Sequence, residues 1–346
     1  AVTAVCVTPD NKGIVSASAD GSIRVWETKT GKMLQVISRV HSGDGTRSGK
    51  HSETGHRGAV LSIVVSPDGG RVVSGGEDCA AMVWDLPTGH CLKVIDHNSP
   101  VRSVCYSPDG SKIVTGSGVD AEVSEGAEKP QAGAGKKDRD APDAAPPSSS
   151  GTMGCVSIFD ALSFLPAVPP ISCFHGHVSP VSASDGRVAA AGSSAKDIVF
   201  YTFDLGTGTR SAFKGHVNKV TAVDISVDGS RVASGSWDDS ARFWNAETGH
   251  LIQTMEGHAG NVNQVRLAPS GAGLYTASSD ENVGIWDPTA AKNITSSSAI
   301  VDTICSVDTS ADGTTVVVQV GNRDLKLYSV TNSKHLGDIE CESAIA

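Results

Sequence analysis

No run of apolar residues in this 346-residue chain reaches the about 18 that a membrane-spanning helix requires. The opening residues, AVTAVCVTPD, alternate like a strand and lack the basic start and apolar core of a secretory leader. A soluble protein inside the cell is expected, cytoplasmic or elsewhere; a cytoskeletal or ciliary placement is compatible with this. Aromatic residues amount to only 5%, and no Lys/Arg stripe is interleaved with them. The net charge of −10 is spread along the chain instead of being gathered in a tail. Nucleic acid is thereby excluded as the main ligand, and so are anionic membrane surfaces. The eight cysteines, at 6, 79, 91, 105, 155, 173, 305 and 341, form no C-x-x-C pair and no zinc-like spacing. They read as reduced thiols filling strand and core positions as small hydrophobes. The sequon NIT at 293–295 is then expected to stay unmodified, because glycosylation requires secretion.

What the chain does have in quantity is glycine, 38 residues, and with it tight turns. It also repeats itself. Gly-His pairs at 55–56, 215–216 and 257–258 are each followed by an aromatic strand end, WD at 84–85, WN at 244–245 and WD at 286–287. The separation from His to Trp is 28 residues in all three. Weaker copies end in Trp26, Phe159, Phe203 and Tyr328, making seven units with later spacings of 44, 41, 42 and 42 residues. Each unit holds four short alternating runs punctuated by Gly, Asp and Pro, the pattern of a four-stranded antiparallel sheet.

Within VASGSWDDSARFWN, Ser234 and Asp238 with the nearby His216 are the residue types of a hydrolytic triad. Counting back from each Trp shows the set three times: His56, Ser74, Asp78 and Trp84; His216, Ser234, Asp238 and Trp244; His258, Thr276, Asp280 and Trp286. The first unit keeps Ser16, Asp20 and Trp26. An enzyme needs one active site, so three copies on separate sheets point to a structural device. A chain of hydrogen bonds through Trp, Ser/Thr, His and Asp satisfies buried polar groups together.

These motifs and their spacing resemble those of the WD-repeat proteins over almost the whole chain. The resemblance implies an all-β fold, a seven-bladed β-propeller of four-stranded antiparallel blades, at approximately 1–40, 55–96, 97–174, 175–213, 214–256, 257–298 and 299–342. It also implies the structural tetrads just described. Blades 3, 4 and 7 depart from the pattern and are expected to rely on packing alone. Blade 3 has Phe159 for Trp and DH at 96–97; blade 4 keeps His177, Ser193 and Asp197 but has Phe203 and a first strand clipped to VSAS. Blade 7 has Val318 and Asn322 where Ser and Asp belong. In the family a strand from the opposite end of the chain commonly completes the last blade. Here HLGDIEC, 335–341, reads as that blade's own fourth strand, leaving the ring without the interlock. With Ala at position 1, this suggests a segment of a longer polypeptide.

Two insertions stretch the repeat, one at 40–54 and a longer one at 119–153 within blade 3, rich in Ala, Gly, Pro, Ser and charge and expected to be disordered. Both should open on one rim. His41, His51 and His56 offer no metal shell, since no carboxylate or Cys completes one at ligand spacing. The glycines sit in strand turns without a following helix N-terminus to hold phosphate. No metal and no cofactor is therefore expected, and no catalysis.

A rigid disc without a catalytic constellation is a platform for other proteins. On the rim carrying the Asp turns, the residues before each Asp should point outward: Ala19, Glu77, Lys196, Trp237 and Ser279. Trp237 stands out, since a large aromatic on a tight polar turn suits a binding contact. GSWDDSARFWN is similar to the last blade of the beta subunit of heterotrimeric G proteins, whose tryptophan at the matching position contacts partners. The same resemblance implies contacts at Lys219, Thr221, Asn261, Asn263, Pro100 and Arg102. The leading expectation is a non-enzymatic scaffold within a multiprotein complex. A regulatory or sensor domain of a larger enzyme or assembly factor, or a substrate-recognition adaptor for protein modification, are the alternatives.

Overall fold

A computed structural model describes residues 1–38, 55–118, 153–175, 178–184, 186–192, 199–205, 209–268, 273–287, 292–297, 304–310, 313–321, 324–329 and 335–340. Their strands form seven four-stranded antiparallel sheets, lying within 2–37, 60–96, 101–175, 178–214, 220–255, 262–297 and 304–340. These are the blades of a seven-bladed propeller. Strand-forming alternation and turn chemistry act together in each. Between Val220–Ile225 and Arg231–Ser236, Ser226 Oγ donates to Asp228 at 2.6 Å and accepts the Arg231 N–H at 2.9 Å. Gly229 there takes φ +68°, a left-handed conformation open to a residue without Cβ.

The core lies between blades. Trp244 of blade 5 stands edge-on to Phe200 and Phe213 of blade 4, whose stacked rings are 4.6 Å apart. On the other face of blade 5, Ala222, Ala233 and Phe243 pack with Val262, Val265 and Trp286 of blade 6. The sheets approach so closely that a Cβ at Gly75 would stand 2.6 Å from Val101 Cγ1. Glycine is required at that contact.

The innermost strands surround a central cavity of about 330 Å3 and staple several blades to the next. Thr3 and Thr221 donate their hydroxyls to the Val60 and Val262 carbonyls, and Asn263 Nδ2 donates to the Ile304 carbonyl at 2.7 Å. Further along the same strands, Asp224 accepts the Leu267 N–H at 2.8 Å and Asp308 accepts the Val7 N–H at 3.0 Å. Arg266 lies between the two carboxylates, 3.8 Å from Asp224 and 3.4 Å from Asp308. Burial nevertheless raises the Asp308 carboxyl above the usual range, outweighing the guanidinium.

Blades 1 and 7 are each drawn from one continuous stretch, and His335–Glu340 is the fourth strand of blade 7. Side chains close this joint. Val2, Val5, Val7, Ile14 and Trp26 pack with Val317, Leu325, Leu327 and Ile339, and Gln319 Nε2 donates to the Val2 carbonyl at 2.8 Å.

The first strand of blade 4 corrects an expectation. It is not clipped but runs over Val178–Ala183, as long as its counterparts. Pro180 is accommodated because the strand pairs on one side only and its register shifts between Val178 and Val181.

Candidate functional site

In blade 5, Trp244 Nε1 donates to Ser234 Oγ at 2.8 Å, His216 Nε2 lies 2.8 Å from the same hydroxyl, and His216 Nδ1 lies 2.8 Å from Asp238. Blade 2 repeats this through Trp84, Ser74, His56 and Asp78 at 2.8, 2.7 and 3.0 Å. Blade 6 repeats it through Trp286, Thr276, His258 and Asp280 at 2.9, 2.7 and 2.8 Å. The indole can only donate, so the hydroxyl accepts from it and turns its own proton to Nε2; Nδ1–H then donates to the carboxylate.

That polarity is the one a serine hydrolase uses, and burial is what separates the two. Ser234 is 0% exposed, and its hydroxyl oxygen accepts the indole N–H of Trp244. Burial works to raise the Asp238 carboxyl, but hydrogen bonds from Ser240 and His216 outweigh it and hold the group down to about 2. Burial also lowers His216 below its ordinary value, against the pull of Asp238. In blade 5 the network is therefore a neutral imidazole on an ionised carboxylate, with Ser234 and His216 buried. It ties the Gly-His loop to the Asp turn, since the Val217 N–H also donates to Asp238 at 3.1 Å.

The departing blades differ from one another. In blade 1 Trp26 Nε1 donates to Ser16 at 2.8 Å, and Arg24 reaches Asp20 at 3.0 Å in the absence of a histidine. Blade 3 is not held by packing alone, which corrects the expectation. His97 Nε2 lies 3.4 Å from Thr115 Oγ1, and its ring stands edge-on to Phe159 at 5.8 Å. Phe159 offers no N–H to fix the hydroxyl, so the contact is longer than in the complete tetrads. In blade 7, Val318 is fully buried among apolar neighbours. His177, Ser193, Asp197 and Asn322 lie outside the described residues.

The rim formed by the Asp turns presents Ala19, Glu77, Trp237 and Ser279 at the surface. Trp237 is 43% exposed, with Lys219 Nζ 5.0 Å from its ring centroid. Its own backbone is bonded: the N–H donates to the Lys219 carbonyl at 3.0 Å and the carbonyl accepts from Asn218 Nδ2 at 3.3 Å. Asn261 is half-buried beside Ser279, whose N–H donates to the Asn261 carbonyl at 2.9 Å. Thr221 and Asn263 use their polar groups between blades, and Arg102 lines the central cavity. Lys196 and both insertions, apart from Met153 at the start of a strand, lie outside the described residues. The Asp224–Arg266–Asp308 cluster escaped the sequence reading. Its signal was a charged residue at the same place in VTAVDI, VNQVRL and ICSVDT, strands that carry no other charge.

A family model described as WD domain, G-beta repeat matches residues 1–27, 49–85, 89–123, 208–245 and 249–287, together about half of the chain. Over 262 residues the chain is 26% identical to WD repeat-containing protein 18 of Danio rerio, covering 73% of this chain and 52% of that protein. It is 33% identical over 88 residues to Small ribosomal subunit protein RACK1 of Drosophila melanogaster, covering 25% of this chain and 23% of that protein. It is 36% identical over 84 residues to U3 small nucleolar RNA-interacting protein 2 of Homo sapiens, covering 24% of this chain and 17% of that protein. The chain spans about half the length of the WD repeat-containing protein 18 relatives that it matches. Repeat spacing, seven sheets, tetrads and matched segments agree, and the chain belongs to the WD-repeat family.

Proposed function

We propose that this chain is a non-enzymatic scaffold that joins other proteins into an intracellular multiprotein complex through the rim carrying its Asp turns. The observation that carries this reading is Trp237, an exposed indole stacked under Lys219 on a turn whose backbone bonds are already made. An aromatic with a cation over one face, on a rigid support, has the makeup of a binding hot spot. The net charge of −10 supports proteins over nucleic acid as partners. A second reading, a regulatory or sensor propeller domain of a larger enzyme or assembly factor, draws on relatives of which the matched region covers only about half.

Affinity purification of the wild type beside a Trp237→Ala, Lys219→Glu double variant tests the scaffold reading. Partners lost by the variant at unchanged melting temperature are expected. An identical set of partners on both would overturn this choice of face.

A further inference from the structure

The outermost strand of every blade pairs on one side only, leaving an open edge. Such edges are commonly blunted by charge or proline. Arg210–Lys214 ends in charge on both sides, and Cys91–Asp96 carries Lys93 and Asp96. Met33–Ile37 of blade 1, MLQVI, carries neither charge nor proline, and its Leu34 is 58% exposed. Leu251–Met255 of blade 5 is uncharged as well. The strand of blade 1 differs in what lies beside it.

Between the turn leading into Met33–Ile37 and blade 7 is a cavity of about 330 Å3, lined by Thr28, Lys29, Gly31, Leu327, Leu336 and Ile339. That volume falls within the range of small-ligand pockets, about 300–1,000 Å3. Among the described residues Thr28 Oγ1 is buried there with no hydrogen-bond partner, a costly state unless a bound group supplies one. Lys29 borders the cavity and Lys32 immediately precedes the strand, a basic spot on an acidic chain. Of the nearby acids, Glu27 accepts from the Thr30 hydroxyl, and Asp338, which also lines the cavity, is in register with Lys326. The Thr28 N–H bonds to the Lys12 carbonyl in the turn after the first strand, so this site lies on the rim opposite Trp237.

We infer that this joint binds an extended segment of a partner protein, with alternating apolar residues and an acidic flank. The segment adds a fifth strand along Met33–Ile37, so main-chain hydrogen bonds supply affinity and side-chain pockets supply selectivity. Its acidic flank meets Lys29 and Lys32. One side chain with an apolar body and a polar tip enters the cavity and bonds Thr28.

A display library of random peptides about twelve residues long (the length of strand addition plus flanks), panned against the whole chain, tests this. Recovered peptides should share alternating apolar residues with an acidic flank. They should bind wild type and Trp237→Ala alike, which separates this site from the proposed scaffold face. Affinity should fall about tenfold or more on Leu34→Lys or Lys29→Glu, whose exposed positions leave the melting temperature unchanged. Thr28→Val should weaken peptide binding while raising the melting temperature of the free chain. The inference is overturned by failure to enrich any peptide or by peptides indifferent to these substitutions. It is also overturned if the wild type self-associates through this edge and Leu34→Lys restores the monomer.

Discussion

Gln319 Nε2 of blade 7 donates to the carbonyl of Val2 in blade 1 at 2.8 Å. At the joints between blades 1 and 2, 5 and 6, and 6 and 7, the equivalent donor comes from the innermost strand, from Thr3, Thr221 and Asn263. Here it comes from the second strand, Thr315–Val320. Gln319→Glu removes the donor and places an acid against a carbonyl in a buried position. The variant should be about 2 kcal/mol less stable than wild type at pH 7 by denaturant unfolding. Burial raises the folded-state pKa of such an acid, so the deficit should shrink at pH 5, where protonation restores a donor.

Thr276 separates hydroxyl from methyl. Thr276→Val keeps the shape but leaves Trp286 Nε1 and His258 Nε2 without a partner, at a cost of about 1–3 kcal/mol. Thr276→Ser keeps both bonds and should cost about 1 kcal/mol or less, as a lost methyl. Equal melting temperatures for the two variants would contradict the assigned hydrogen-bond chain.

Arg266 holds apart two carboxylates from different blades. Arg266→Leu leaves Asp224 and Asp308 facing one another without a cation and should destabilise the ring by about 3 kcal/mol. Adding Asp308→Asn should recover part of that loss, because the amide oxygen still accepts from the Val7 N–H and one buried charge is gone. Chemical denaturation of the single and double variants measures the difference.

Acid should weaken the fold in two stages. Burial lowers His216 and His97 beneath 6.5, so the unfolded chain takes up protons that the native imidazoles refuse. Their contribution is complete above pH 6.5 and declines as pH falls through the interval below it. Asp238, held at about 2, contributes above the ordinary carboxylate value near 3.8 and loses that contribution as pH falls towards 2. Melting temperature against pH should therefore begin to drop below 6.5 and drop again below 4. His216→Gln should flatten the upper stage.

The seven units and three complete tetrads were legible because they depend on spacing, and the 28 residues from His to Trp leave little freedom. Direction within a strand was less legible. Thr221 and Asn263 stand at positions associated with partner contacts in the resembling family, and Thr221 Oγ1 and Asn263 Nδ2 also donate to the next blade's carbonyls. A pattern of residue types does not say which of two neighbours a half-buried side chain will meet. His97 was visible, but its contact with Thr115 required the distance across the blade. The first strand of blade 4 reads as clipped to VSAS in the sequence, whereas in the sheet it starts at Val178 and carries Pro180 on a strand paired on one side only.

Among the described residues no strand is exchanged between blades 7 and 1, and this has a mechanical meaning. Force applied through the two ends would load this joint in parallel across the cluster of Val2, Val5, Trp26, Leu327 and Ile339, with Gln319–Val2 and Asp308–Val7 as its hydrogen bonds. Each sheet carries a ladder of interstrand bonds, whereas this joint carries isolated ones. Under tension the molecule should open as a clasp, giving a curved chain of intact blades before any single blade unravels.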